Sequence, residues 1–251
     1  NFNSAIRHKL YGYYIAASDL YQIELLKKAK MRSYFQFGYL LENSGINPFN
    51  VLTSIEYNKL FQKTSVEINY KYTYDGKKNG LDIRLFAGTM LKNTANVPFY
   101  ALSASGRSGR EEYLFQGFYP DRFTKFPKSF WSRQMTLSEG GLVSPVNDSL
   151  GYSRWLISSS ITSNLPGRAS RIPVKPFVNV LLNEHGFNMS HNSPFFCEAG
   201  LMAGIWGIFE VYVPLLVSRN IESINGSFKN RIRIVLKLDV LKQVKLSAKM
   251  F

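Results

Sequence analysis

The sequence predicts an all-β fold: a closed antiparallel transmembrane β-barrel of about ten strands, with about 8 and 12 as bounds, and a long structured extracellular loop. Three observations carry the prediction. From Arg231 to Asp239 the chain alternates, with Ile232, Ile234, Leu236 and Leu238 on one face and Arg231, Arg233, Lys237 and Asp239 on the other. A period of two sends such sets to opposite faces of a strand. The same alternation recurs in about ten segments of about ten residues, the length a tilted strand needs to cross a bilayer. Finally, no stretch approaches the roughly 18 consecutive apolar residues of a membrane-spanning helix. In a membrane barrel the apolar rows meet lipid and the polar rows meet the lumen.

The elements follow in order. In residues 4–16, Tyr11, Tyr13 and Ile15 alternate with less apolar neighbours, and residues 32–41 are aromatic on both faces. Residues 49–59 put Val51, Thr53, Ile55 and Tyr57 outward and Ser54, Glu56 and Asn58 inward. Residues 64–74 set Val66, Ile68, Tyr70, Tyr72 and Tyr74 against Ser65, Glu67, Asn69, Lys71 and Thr73. The turn Asp75–Gly80 follows, rich in residues that tolerate positive φ. In 81–91, Leu81, Ile83, Leu85 and Ala87 oppose Asp82, Arg84, Phe86 and Gly88; in 153–163, Trp155, Ile157 and Ile161 oppose Ser158, Ser160 and Thr162. Residues 173–182 turn Val174, Val178, Val180 and Leu182 outward and Lys175 and Asn179 inward. Residues 196–205 carry Phe196, Glu198, Gly200, Met202 and Gly204 inward. In 208–217, Phe209, Val211, Val213, Leu215 and Val217 point out and Glu210 and Tyr212 in, and 230–239 completes the series.

An even strand number puts both termini on one side, normally the periplasm. Residues 42–48, 75–80, 164–172 and 206–207 are then the shorter periplasmic turns. Residues 17–31, 92–152, 183–195 and 218–229 lie outside, with 60–63 a short exception, and 241–251 is a periplasmic tail. Pro176 and Pro214 fall inside strands, where they cannot donate to the ladder, so a bulge is expected at each. Residues 18–30 also fit a short helix capped by Ser18.

Composition narrows the function classes. With 251 residues the chain suits one large β domain. The 15 Tyr and 19 Phe suit membrane interfaces, where amphipathic rings accumulate. Net charge is +14, but the bases are dispersed, and neither a zinc-finger spacing nor an RNP-like motif occurs. The basic loops suit outer-membrane lipid and lipopolysaccharide better than nucleic acid. The single Cys197 rules out an internal disulfide and shares an apolar row with Ala199, Leu201 and Ala203, so it reads as a lipid-facing side chain. The chain starts at Asn1 with neither an initiator Met nor a signal peptide. Because an outer-membrane protein must be exported, the expectation is a processed chain or a piece of a longer one.

Charges assigned to the interior are six acids (Glu56, Glu67, Asp82, Glu198, Glu210, Asp239) and six bases (Lys71, Arg84, Lys175, Arg231, Arg233, Lys237). Their balance in a lumen barely wider than side chains can fill predicts a cross-linked, plugged interior over a porin. The transport alternative is a narrow pathway lined by Arg231 and Arg233. A rim hydrolase would draw on Glu184, His185 and His191, or on Glu111, Glu112 and Asp121. No His-Glu-x-x-His, Gly-x-Ser-x-Gly, P-loop or dinucleotide fingerprint is present, so no catalytic residue, metal site or cofactor is expected. Residues 92–152 are too long for an idle connection. Their aromatics suit either a plug or cap over the mouth or a surface for other envelope proteins.

Phe86-Ala-Gly88, Tyr100-Ala-Leu-Ser-Ala-Ser-Gly106, Glu111-Glu-Tyr-Leu-Phe115, Ser132-Arg-Gln134, Glu139-Gly-Gly141, Phe209-Glu-Val-Tyr-Val-Pro-Leu215 and Asn230-Arg-Ile-Arg-Ile-Val-Leu236 occur in this order. Together they resemble the C-terminal outer-membrane barrel region of Bacteroidota envelope proteins in which an M1-type (gluzincin) peptidase-like domain precedes the barrel. The similarity covers most of residues 30–241. The peptidase's zinc motif has no counterpart here, so that activity does not carry over. The resemblance implies a Gram-negative membrane anchor, or a relative that has lost the enzyme. The expectation is therefore a single barrel domain, residues 1–251, acting as anchor or scaffold in an envelope complex without chemistry of its own.

Overall fold

A computed structural model describes residues 6–16, 33–75, 79–93, 101–105, 129, 131–135, 137, 139–146, 152–165, 172–184, 195–205, 209–225 and 227–236. Its long strands are β1 (Ile6–Ala16), β2 (Ser33–Asn43), β3 (Phe49–Tyr57), β4 (Phe61–Asp75), β5 (Asn79–Asn93), β8 (Trp155–Ser163), β9 (Val174–Asn183), β10 (Phe195–Ile205) and β11 (Phe209–Val217), with the shorter β12 (Arg233–Leu236). Two short strands, β6 (Leu102–Ser103) and β7 (Tyr152–Ser153), pair with each other, and helix α1 covers Arg219–Asn225. The other ten strands form one antiparallel sheet in the order β1-β2-β3-β4-β5-β8-β9-β10-β11-β12, each beside its neighbour in sequence. Antiparallel neighbours of this kind can be joined by short hairpins, but β5 reaches β8 only through residues 94–154. Its edges, β1 and β12, are not paired with each other among the described residues, so the sheet is open where a closed barrel would have its seam.

The alternation explains why these segments are strands and which way they face. On β3, Ser54 and Glu56 are buried while Ile55 and Tyr57 are exposed; on β9, Phe177, Asn179 and Leu181 are buried while Val178 and Val180 are exposed. Every long strand but β12 turns large apolar side chains outward, from Leu10 on β1 to Leu216 on β11. β12 is the exception. Its outward-row Ile234 is buried, because the backbone of residues 134–135 lies along that edge, with Met135 N donating to Ile234 O at 2.9 Å.

Four details depart from the expected pattern. The register places Tyr11 and Tyr13 opposite Gly38 and Gln36. That puts this row on the inner side, where a Cβ on Gly38 would come within 2.0 Å of the Tyr11 ring. The expected bulge appears at Pro214: Gly200 pairs with Pro214 and Ala199 with Leu216, so Leu215 is the extra residue. Past it the faces exchange. Val217, assigned outward, packs instead against the inner core. Pro176 needs no bulge and pairs in register with Leu201. The Gly204 N–H donates to Pro173 O, so Pro176 directs its missing donor toward β8, whose pairing with β9 ends at Phe177. Finally, Arg231 lies in a 3-10 turn, Phe228–Arg231, and not in a strand.

Gly200 is where this arrangement is least tolerant. A Cβ there would stand 2.2 Å from Val213 O, a backbone atom that moves only if the β10–β11 ladder opens. Gly200→Val is expected to destabilise by about 1–3 kcal/mol, the usual range for overpacking, read as a lower denaturant midpoint in detergent micelles. A midpoint unchanged from the parent would show that the bulge is not built as described. The expected helix at 18–30 lies outside the described residues.

Candidate functional site: a charge-paired interior and its chamber

The inner face of the sheet is covered by one segment. Residues 101–105, 131–135 and 139–146, from the stretch expected as an outer loop, lie against β5 and β8 through β12. Leu102, Ala104, Leu142 and Val146 pack with Phe86, Leu156, Leu181, Phe196 and, from α1, Ile221. Met135 and Val143 pack with Phe177, Met202 and Tyr212. Gly140 and Gly141 permit this closeness. A Cβ on Gly140 would lie 2.5 Å from Ala104 O and 2.4 Å from Leu181 Cδ1, and Gly141 takes φ +73°, with Ser160 Oγ 2.7 Å from the position of an added Cβ.

Two carboxylates pin this segment to the wall. Glu198 on β10, 2% exposed, accepts from the Val143 N–H at 2.6 Å, the Ser144 N–H at 2.9 Å and Asn179 Nδ2 at 2.7 Å. Glu139, on the segment itself, takes a bond from Lys63 Nζ at 3.0 Å and from the Ser103 N–H at 2.6 Å. Lys63 also meets Glu56 at 3.2 Å, both ends buried. Arg84 ties the segment to a further acid: it pairs with Glu67 at 2.7 Å and donates to Glu139 O at 2.9 Å. Charges removed from water need such partners, since an isolated one would not stay ionised in the interior.

Of the residues assigned to the interior, the structure brings together Glu67 with Arg84, and Lys71 with Asp82 at 4.0 Å. Glu210 accepts from Tyr212 Oη at 3.0 Å, and Lys175 stands at the register position opposite Met202. Arg231 reaches Glu222 of α1 at 3.4 Å, and Arg233 is fully buried opposite Tyr212. Lys237 and Asp239 lie outside the described residues. Sequence reasoning missed Lys63 and Glu139. Lys63 was legible, because the inward row Ser65, Glu67, Asn69 extends back through it to Phe61, where β4 begins. Glu139 was not, because nothing local in a loop shows which strand it will meet.

Of the hydrolase candidates, Glu184 alone lies among the described residues. Glu184 bonds Arg154 at Nε (3.2 Å) and at its backbone N–H (3.1 Å). Glu111, Glu112, Asp121, His185 and His191 lie outside the described residues. Among the described residues no three His, Cys, Asp or Glu side chains group as metal ligands. No helix among them is long and apolar enough to cross a membrane, which says nothing of a β-barrel.

The interior holds a chamber of about 730 Å³. Asn43, Ser44 and Pro48 mark its mouth at the β2–β3 turn, and Leu137, Gly141 and Val143 of the inner segment lie at its floor. Arg7 of β1 and Tyr212 of β11, near opposite edges of the sheet, line this one cavity. The sheet is therefore strongly curled. No protein-family model and no curated protein matches the chain.

Proposed function

We propose that the chain is an outer-membrane β-barrel that anchors or scaffolds a cell-envelope assembly and has no chemistry of its own. The observation that carries this reading is the outer surface. Midway along the strands it is aliphatic, with Val66, Leu85, Ile157, Val180 and Leu201 exposed. At the long-loop end Tyr14, Phe35, Tyr57 and Phe195 stand outward, and at the turn end Tyr72 and Tyr74. An aliphatic band with aromatic side chains toward its ends is a feature of barrels in lipid. A soluble monomer rarely leaves so continuous an apolar face to water.

The interior supports anchoring over conduction. Buried Glu56, Lys63 and Glu198 are committed to each other and to the inner segment, which occupies the lumen side of β8 through β12. The resemblance to peptidase-linked barrels supports the same role beside other envelope proteins, with outer-membrane lipid and lipopolysaccharide as surroundings. The purified chain should require detergent, migrate differently on gels before and after heating, and add no steady conductance to planar bilayers. Reproducible channels would favour transport, and a monodisperse protein in plain buffer would remove the membrane reading. A graded test is Ile157→Arg. It should destabilise the inserted protein by about 2–4 kcal/mol, as a cation near the bilayer midplane does. At a water-exposed site the change would stay within about 0.5 kcal/mol.

A further inference from the structure

The chamber at the turn end is a built cavity that the anchoring role does not use. We infer that it is a binding site for a neutral, hydroxyl-rich chain, an oligosaccharide in chemical class, entering from the β2–β3 turn end and stopping at the inner segment. The inference does not depend on the anchor reading, because it rests on the cavity wall and not on what surrounds the outer face.

Size and shape come first. A cavity of about 730 Å³ falls within the range of small-molecule sites, about 300–1,000 Å³. Leu137, Gly141 and Val143 of the inner segment form part of its lining.

Charge then selects the ligand class. The wall carries Arg7, Lys71 and Arg84 against Glu42, Glu67 and Asp82. Arg84 is committed to Glu67 at 2.7 Å, Lys71 faces Asp82 at 4.0 Å, and Glu42 is held by Lys9 at 2.8 Å. Arg7 stands exposed beside the β2–β3 turn with no ion-pair partner among the described residues; deeper in, an ionic ligand would shed its water and meet no uncommitted opposite charge, which costs more than it returns.

Amides and hydroxyls remain. Asn69 Nδ2 donates to Asn50 Oδ1 at 3.0 Å and to Glu67 Oε1 at 2.8 Å. That leaves Asn69 Oδ1 as an acceptor and Asn50 Nδ2 as a donor on register partners of β3 and β4, groups that the hydroxyls of a diol can satisfy, since each hydroxyl both donates and accepts. Thr162 adds a hydroxyl from β8, and the edge-on pair Phe177–Tyr212, 5.5 Å between centroids, gives the wall an apolar face.

The test titrates the full chain in detergent micelles by calorimetry with four probes: maltotriose, triacetylchitotriose, trialanine and tripolyphosphate. The expected result is saturable binding of a neutral trisaccharide and none of the ionic probes. Thr162→Val, which removes a wall hydroxyl without touching the ion pairs, should weaken binding about threefold to tenfold, the loss of one hydrogen bond of about 0.5–1.5 kcal/mol. Asn69→Leu should abolish it, with retained heat-dependent gel migration showing that the protein still folds. Tighter binding of trialanine or tripolyphosphate, binding unchanged in both variants, or no binding by either sugar would each overturn the inference.

Discussion

Glu198→Leu is expected to release the inner segment and to cost on the order of 3–5 kcal/mol. Glu198 is nearly inaccessible, and its carboxylate takes three hydrogen bonds, two of them from consecutive backbone N–H groups, Val143 and Ser144. Each donor left buried and unpaired costs about 1–3 kcal/mol. Leucine returns some apolar contact but no acceptor. Glu198→Gln keeps one carbonyl oxygen and should lose about half as much. The readout is trypsin cleavage after Arg133, whose guanidinium holds Lys229 O and Ile232 O across to the β12 end of the sheet. Cleavage should accelerate at least tenfold in Glu198→Leu and far less in Glu198→Gln. Equal cleavage in parent and both variants would mean that the carboxylate does not fasten the segment.

Lys63→Met should be comparably severe. Lys63 bridges Glu56 at 3.2 Å and Glu139 at 3.0 Å, and only Glu139 has appreciable contact with solvent. Removing one member of a buried ion group costs about 3–5 kcal/mol, because the remaining charge stays buried without its partner. Replacing both ends together is much milder, since no unbalanced charge is left. Lys63→Met with Glu56→Gln should therefore recover part of the loss of Lys63→Met alone. A double-mutant cycle on denaturation midpoints measures this coupling. Strict additivity would show that the two side chains do not interact in the folded protein.

Much of the sheet was legible because one face of each strand differs so strongly from the other. Where Val66, Ile68 and Tyr72 alternate with Ser65, Glu67 and Lys71, period alone fixes strand and face. It failed where backbone geometry overrode period. The bulge at Leu215 moved Val217 inward, and the 3-10 turn at Phe228–Arg231 took Arg231 out of β12. In β1 both rows mix apolar and polar residues (Ile6, His8, Leu10 and Tyr14 against Arg7, Lys9, Tyr11 and Tyr13), so the register with β2 is what puts Tyr11 and Tyr13 in the inner row. The interior was legible as to which strand residues supply it but not as to what they hold. Glu198 could be placed on the inner face, yet its partners Val143 and Ser144 are more than fifty positions away. Long-range pairings of that kind depend on the folded chain path and leave no local pattern.

The most direct test concerns what touches the outside of the sheet. In a Cys197→Ala background, spin labels introduced by Leu85→Cys, Ile157→Cys, Val180→Cys and Leu201→Cys sit on outward positions of four strands, and one introduced by Ser158→Cys sits on the inner face. With the protein in lipid bilayers, power saturation should show the four outward labels relaxed by oxygen and hardly at all by an aqueous nickel chelate, and the inner label relaxed by neither. Outward labels reached chiefly by the nickel chelate would contradict the account, since water and not hydrocarbon would then cover that face.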